Sequence, residues 1–366
     1  MAETLTDEVV RAWHAGQAAV GPDDGVADDL TRAADTLLGR RAPVAAAGSL
    51  ERAAALTTDP EAAGVRLRRA AEALAETGRT EAALALLDQA DDLGRLELEA
   101  ARREQLRLRL AARGGATEEA IEGLRSLAAR VQALDPLLSA QVWLDALPAL
   151  VGAARGNDIE QVAKSALEQA DRAGSPNLAR RAEVALGGLR LARGDLDGQA
   201  MLDRYAEVLE VEGALASAPF LSEVVAPYLG LLRRGPEVEA LFDTLERDLR
   251  QAVAIPSLIA VLSARSLLSR GRDLRRSAAD NVEAIELAEA IDQPELALLA
   301  AASLSVTAGV MGDDERVALA AGRCARATSS AHQAGGLAGR AALHLGRGGL
   351  DEALAIYELM CERFGI

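Results

Sequence analysis

Apolar residues along this chain recur at intervals of three and four, the period of an amphipathic helix, and no run of alternating β-branched residues argues for a sheet. The stretch "LAETGRTEAALALLDQA" from Leu74 contains a whole unit: the end of one helical segment, a glycine followed by polar residues, then a second helical segment. Clear copies start at Leu110, Leu191 and His344, and fainter ones at Ala153, Leu231, Leu267 and Val310. The eight turn glycines are Gly78, Gly115, Gly156, Gly194, Gly235, Gly271, Gly312 and Gly348, separated by steps of 37, 41, 38, 41, 36, 41 and 36 residues. Proline marks the starts: Pro60, Pro136, Pro176, Pro219, Pro256 and Pro294 precede their glycines by 15 to 20 residues, where the first turn of a first helix belongs and where proline is tolerated.

Each unit is therefore expected to be a helical hairpin of two helices, each about 14 to 18 residues long. A lone hairpin cannot bury both apolar faces, so neighbours must stack. The predicted fold is all-α: an α-solenoid, or superhelix, of about eight hairpins over 59–366, preceded by a helical arm over 1–58. Its right hand is taken from such folds in general. Composition agrees, because half of the chain is apolar but only 2% is aromatic, which leaves Ala and Leu to fill the core. The unit around Gly78 resembles a tetratricopeptide repeat (TPR) at Leu67, Ala70, Ala71, Leu74, Gly78, Ala83, Leu87 and Ala90, and the unit around Gly348 resembles one at Ala341, Gly348, Ala353 and Tyr357. The long steps imply a divergent TPR-like relative.

The net charge of −16 disfavours nucleic acid, whose binding rests largely on neutralised phosphates. Two arginine clusters interrupt the acidity: Arg102, Arg103, Arg107, Arg109 and Arg113, and Arg270, Arg272, Arg275 and Arg276. The first reading of each is a solvated helix face, and the second a site for an acidic ligand or partner. Cys324 and Cys361 are far apart and form no CxxC, so neither a disulfide framework nor a zinc site is expected. No basic head leads into an apolar stretch at the start of the sequence, and no window of about eighteen residues is uninterruptedly apolar. A cytoplasmic protein without membrane contact is the expectation.

Chemistry-bearing residues are sparse. His14, His332 and His344 are scattered, His332 being expected near the end of an outer helix, and HExxH, GxSxG and a Cys with a partnered His do not occur, so the chain reads as no enzyme with no cofactor or metal. Acidic pairs such as Asp23–Asp24, Asp28–Asp29, Asp91–Asp92 and Asp313–Asp314 fall where helices start and read as caps. Pro148 and Pro227 each lie eight residues before a turn glycine, inside first helices, and should kink them. Trp143 precedes one kink and Tyr228 follows the other, which makes them candidate groove anchors for a ligand, with Arg180, Arg181 and Arg265 as weaker ones. The alternative is that the two rings fill gaps left by the kinks.

The most specific signal lies in the arm: "RAWH" at 11–14, "GPDD" at 21–24, "AAAGSLERAAALTTDP" at 45–60 and "RRAAEAL" at 68–74. With the repeats, these phrases resemble the helical region that follows the ATPase and winged-helix modules of large ATP-dependent LuxR-type transcriptional regulators. The maltose-regulon activator is a distant relation by architecture. The resemblance implies a sensor superhelix that binds a small inducer or a protein partner and acts on ATPase and helix-turn-helix modules of a longer parent chain. Neither module can be read here: the single lysine, Lys164, sits in "DIEQVAKSAL" without phosphate-cradling glycines, and two residues follow Phe364. The sequence is thus expected to be the middle of a longer architecture. The rival reading is a free-standing TPR-type scaffold that holds a peptide or protein partner. Self-association is also expected, through Leu354, Ile356, Tyr357, Leu359 and Phe364 of the last helix.

Overall fold

The computed structural model describes residues 2–113, 117–152, 155–231, 236–327 and 330–364, and these form helices joined by short turns, with no strand among them. Three helices come first: α1 (Ala2–Ala18), α2 (Asp24–Gly39) and α3 (Pro43–Leu56). The rest follow the predicted pairs in chain order: α4 (Pro60–Ala75) and α5 (Thr80–Leu93); α6 (Glu97–Arg113) and α7 (Thr117–Val131); α8 (Pro136–Asp145) with α9 (Leu147–Gly152), then α10 (Gly156–Arg172). Next come α11 (Pro176–Ala192), then α12 (Gly198–Asp203) with α13 (Tyr205–Glu212); α14 (Ala214–Phe220), a π-helical turn (Leu221–Val225) and α15 (Ala226–Leu231), then α16 (Pro236–Ala252). The last pairs are α17 (Ile255–Ser269) and α18 (Leu274–Ala290), α19 (Pro294–Met311) and α20 (Asp314–Cys324), α21 (Ser330–Gly346) and α22 (Leu350–Phe364).

Local chemistry explains the boundaries. Asp23, Asp59, Asp135, Asp273 and Asp313 each accept a hydrogen bond from a backbone N–H in the first turn of the following helix, satisfying donors that have no partner inside the helix. Pro43, Pro60, Pro136, Pro176 and Pro294 stand at the first helical position. Gly78, Gly194, Gly312 and Gly348 end their helices with φ between 74 and 85°, a left-handed conformation that favours glycine. Gly115 and Gly235 lie outside the described residues. Gly156 departs from the expectation: it is the first residue of α10.

The fifth first helix also differs. It starts at Ala214, directly after Gly213 turns the chain at φ 80°, so Pro219 falls inside α14 instead of opening it. The π-helical turn follows, and Pro227 sits just beyond it. A proline lacks the N–H of the helical ladder and crowds the preceding turn, and a widened turn absorbs both defects. Pro148 has a parallel effect, with Ala146 separating α8 from α9.

Two compact units divide the chain: Met1–Leu110 with Leu249–Pro256, and Ala111–Asp248 with Ser257–Ile366. In the first, α1 to α5 pack on their sequence neighbours, and the border between 58 and 59 falls between the contacting helices α3 and α4. Its core is Ala and Leu, including Ala46, Leu50, Ala70, Ala71 and Leu87 at 0% exposure. Its segment Leu249–Pro256 is remote in sequence, and Arg41 donates to Gln251 there at 3.2 Å. In the second unit α8 packs on α10, α10 on α11, α11 on α12 and α13, α18 on α19, and α19 on both α20 and α21, with α21 on α22. Helix α19 averages a hydropathy of 1.5 over 18 residues, enough by length and composition to cross a membrane. Glu295, Ser303, Ser305 and Thr307 interrupt it, however, and it is packed against α18, α20 and α21.

Candidate functional site

The first unit carries a cleft of about 310 Å³ across α2, α4 and α6. Leu38, Ala73 and Leu106 form its apolar part, and Arg69, Glu72, Glu76 and Arg109 its polar part. These helices come from successive turns of the chain: α2 precedes α3, α4 precedes α5, and α6 precedes α7. Helical spacing sets Arg69, Glu72 and Ala73 of α4 and its C-cap Glu76 along one face, with Leu38 supplied by α2 and Leu106 by α6.

Charges in the cleft are mostly spoken for. Arg69 pairs with Asp35 of α2. Arg68 bridges Glu72 at 2.5 Å and Glu99 at 2.9 Å. Burial opposes the charged form of Glu99, but Arg68 and Arg102 outweigh it and hold its carboxyl below the usual carboxylate range. Arg109 is also engaged. The side-chain carboxylate of Glu76, the partly exposed residue that caps the end of α4, has no hydrogen-bond or ion-pair partner among the described residues. The cleft therefore offers apolar surface beside one uncompensated carboxylate.

The residues singled out by sequence lie elsewhere. Trp143 on α8 and Tyr228 on α15 are buried, at 8 and 7% exposure, so neither ring is presented on an open wall. Tyr228 packs against α11, where a Cβ on Gly188 would come 2.2 Å from a ring carbon. Burial accordingly raises the Tyr228 pKa. Arg180 pairs with Glu207 of α13 at 2.6 Å, while Arg181 pairs with Glu212 and stands 5.2 Å over the Phe220 ring. Arg265 of α17 is 4% exposed and is held by Asp280 of α18 at 2.7 Å and by Asp243 of α16 at 3.0 Å, with Glu246 also bound. Arg180 and Arg181 lie on α11, and Tyr228 packs against it at Gly188.

Two expectations about single residues change. Arg103, read as part of a solvated face, is 2% exposed, because Asp91 at 2.5 Å and the Gly94 carbonyl at 2.9 Å receive its guanidinium. His332 is in the first turn of α21, not at the end of an outer helix, with Nδ1 3.5 Å from Glu295 of α19. Cys324 is buried and its thiol is pushed up to about 11 by burial, so the reactive thiolate is disfavoured. Among the described residues no three His, Cys, Asp or Glu side chains are grouped so as to hold a metal ion.

Sequence reasoning missed a recurrent arginine staple. Arg155, Arg193, Arg272 and Arg347, each next to a turn glycine, reach back 37, 33, 33 and 33 residues to Glu118, Glu160, Glu239 and Asp314 in the second helix of the preceding hairpin. An arginine beside the turn glycine, with an acid one repeat earlier, was the available signal. Comparison with protein families and with curated proteins found no match to this chain.

Proposed function

We propose that the chain is a recognition module built as a TPR-like α-solenoid. In the more specific reading, carried by the arm phrases at 11–14, 21–24, 45–60 and 68–74, it is the signal-receiving superhelix of a LuxR-type ATP-dependent transcriptional regulator. A small inducer or a protein partner then binds the hairpin array and shifts the balance between resting and assembled forms of the parent, which requires unequal affinity for the two. The observation that supports recognition most directly is the cleft on α2, α4 and α6, with Leu38, Ala73 and Leu106 beside the unpaired carboxylate of Glu76. The region senses and transmits; ATP hydrolysis and DNA reading belong to other modules.

Blotting native extract with an antibody against this chain tests the regulator reading. A band far above 38.2 kDa, with a P-loop ATPase encoded upstream and a helix-turn-helix downstream, is expected; a band at 38.2 kDa leaves the free-standing scaffold. Leu38→Asp tests the cleft, because Leu38 is 39% exposed and contributes little to the core. It should abolish the inducer or partner response while the circular-dichroism melt stays unchanged. A retained response rejects the cleft. The open apolar side chains Leu350, Leu354, Tyr357 and Leu359 on α22 support self-association. The Phe364 side chain lies outside those described. Light scattering should find mass rising with concentration and Leu354→Glu reversing it; a strict monomer rejects this reading.

A further inference from the structure

Helix α19 is packed on α18, α20 and α21, yet only 44% of its eighteen-residue apolar span is buried. Leu299, Ser303, Val306 and Val310 recur every three or four residues and so share one face, while Ala302 beside them packs against Gly335 of α21. Leu299 and Val310 are 42 and 55% exposed, and Ser303 and Val306 are half-buried. The flanks of this stripe are occupied. On one side α21 comes so close that a Cβ on Gly339 would fall 2.5 Å or less from Ser305 side-chain and backbone atoms. On the other side stands α17, with Leu267 36% exposed one turn before Arg270. What remains is an open apolar ridge about three turns long, roughly 16 Å at the helical rise.

Arg270 edges that ridge and is unlike its neighbours. Arg265, Arg276 and Arg323 each hold a carboxylate. Arg270 is partly buried, yet its nitrogens donate to neutral groups only: Nε to Thr307 Oγ1 at 3.2 Å, and Nη2 to Ser303 Oγ at 2.7 Å and to the Ser303 carbonyl at 3.4 Å. No carboxylate pairs with it among the described residues, and burial alone lowers its pKa. Removing a guanidinium from water without a counter-charge is unfavourable, and a partner carboxylate removes that penalty. The hydroxyls of Ser303 and Thr307 hold the group in place at the edge of the apolar stripe. In a chain of net charge −16, acids are plentiful, so the missing counter-charge is a local property of this surface.

We infer that the α17–α19 face docks an amphipathic helical segment of a partner, whose apolar ridge lies along Leu299, Val306 and Val310 and whose Asp or Glu meets Arg270. A straight three-turn stripe matches the i, i+3/i+4, i+7 ridge of such a segment, and the carboxylate fixes its register and direction. This surface is separate from the α2–α4–α6 cleft and does not depend on the regulator reading. To test it, a display library of eighteen-residue amphipathic helices is panned on the full chain and counter-selected on Val310→Glu. Binders lost on Val310→Glu should carry an Asp or Glu flanking the apolar ridge. Changing that acid to Lys in the synthetic peptide, or Arg270→Met in the protein, should each weaken binding at least tenfold in fluorescence anisotropy. The peptide change keeps the test valid if Arg270→Met alters folding. The inference is overturned if no binder is sensitive to Val310→Glu, or if the sensitive ones show no acidic preference and tolerate the peptide change.

Discussion

Arg265 illustrates why a charge can be buried in an otherwise aliphatic core. Burial works against its cation, but Asp280 and Glu246 outweigh it and raise its pKa, while Asp280, 5% exposed, has its own pKa raised by burial against the pull of Arg265. Neither ion is comfortable without the other. Truncating one partner of such a pair leaves an uncompensated buried charge and typically costs about 3–5 kcal/mol. Arg265→Met should therefore lower the urea midpoint strongly, and Arg265→Met with Asp280→Leu should recover much of the loss. A double variant no better than the single one would mean that packing, not charge, dominates there. His332 supplies a pH-dependent case. Burial lowers its pKa from 6.5, and Glu295 pulls upward without prevailing. The unfolded state then takes up the proton first, so stability should fall as pH drops through about 6.5 and continue to fall until the folded group titrates. His332→Gln should flatten the melting-temperature profile between pH 7.5 and 5.5; an unchanged slope rejects the assignment.

At the scale of elements, two kinds of contact join successive hairpins, and they should differ in worth. The α19–α21 pair meets backbone to backbone through Gly309 and Gly339, where a Cβ on Gly309 would come 2.2 Å from the Gly339 carbonyl. Overfilling such a contact typically costs about 1–3 kcal/mol, so Gly339→Ala should lower the thermal midpoint by several degrees. The arginine staples are largely exposed and screened, and pairs of that kind contribute little. Arg272→Ala, which breaks the 2.9 Å bridge to Glu239, should leave the midpoint nearly unchanged. The reverse order of effects would mean that the staples hold the hairpins together. These contacts also explain what sequence could reveal. The repeat was legible because a left-handed turn favours glycine and a first helical turn tolerates proline, local demands that leave residue types at fixed spacing. Pro219 misled because the same residue can also sit before a π-helical turn, and only the chain reversal at Gly213 decides between the two. The cleft was not legible: Leu38, Ala73 and Leu106 come from three helices, and no local motif records their meeting. Trp143 and Tyr228 are both buried, and aromatic character alone does not distinguish a wall residue from a gap filler.

For the whole molecule, the governing feature is that most helix contacts join elements close in sequence. Arrays of this kind have stabilities that add over local terms, so a defect in one part need not be felt in another. Each contact unit here has a core of its own, Leu50, Leu67 and Leu87 in the first and Leu304, Ala308 and Val317 in the second. Gly339 and the Ser305 and Gly309 atoms it meets all lie in the second. In native-state hydrogen exchange Gly339→Ala should speed the amides of α19, α20 and α21 while those of α2 to α5 keep their rates. The segment Leu249–Pro256 provides the counter-argument, since it belongs to the first unit although it lies far along the sequence, and a single cooperative molecule could be built on that link. Equal acceleration of α2 to α5 and α19 to α21 would therefore reject local additivity in favour of one folding unit. If instead the response stays local, a partner docking on α19 would stabilise α17 to α21 alone, and transmission to a remote module would require a second contact outside that unit.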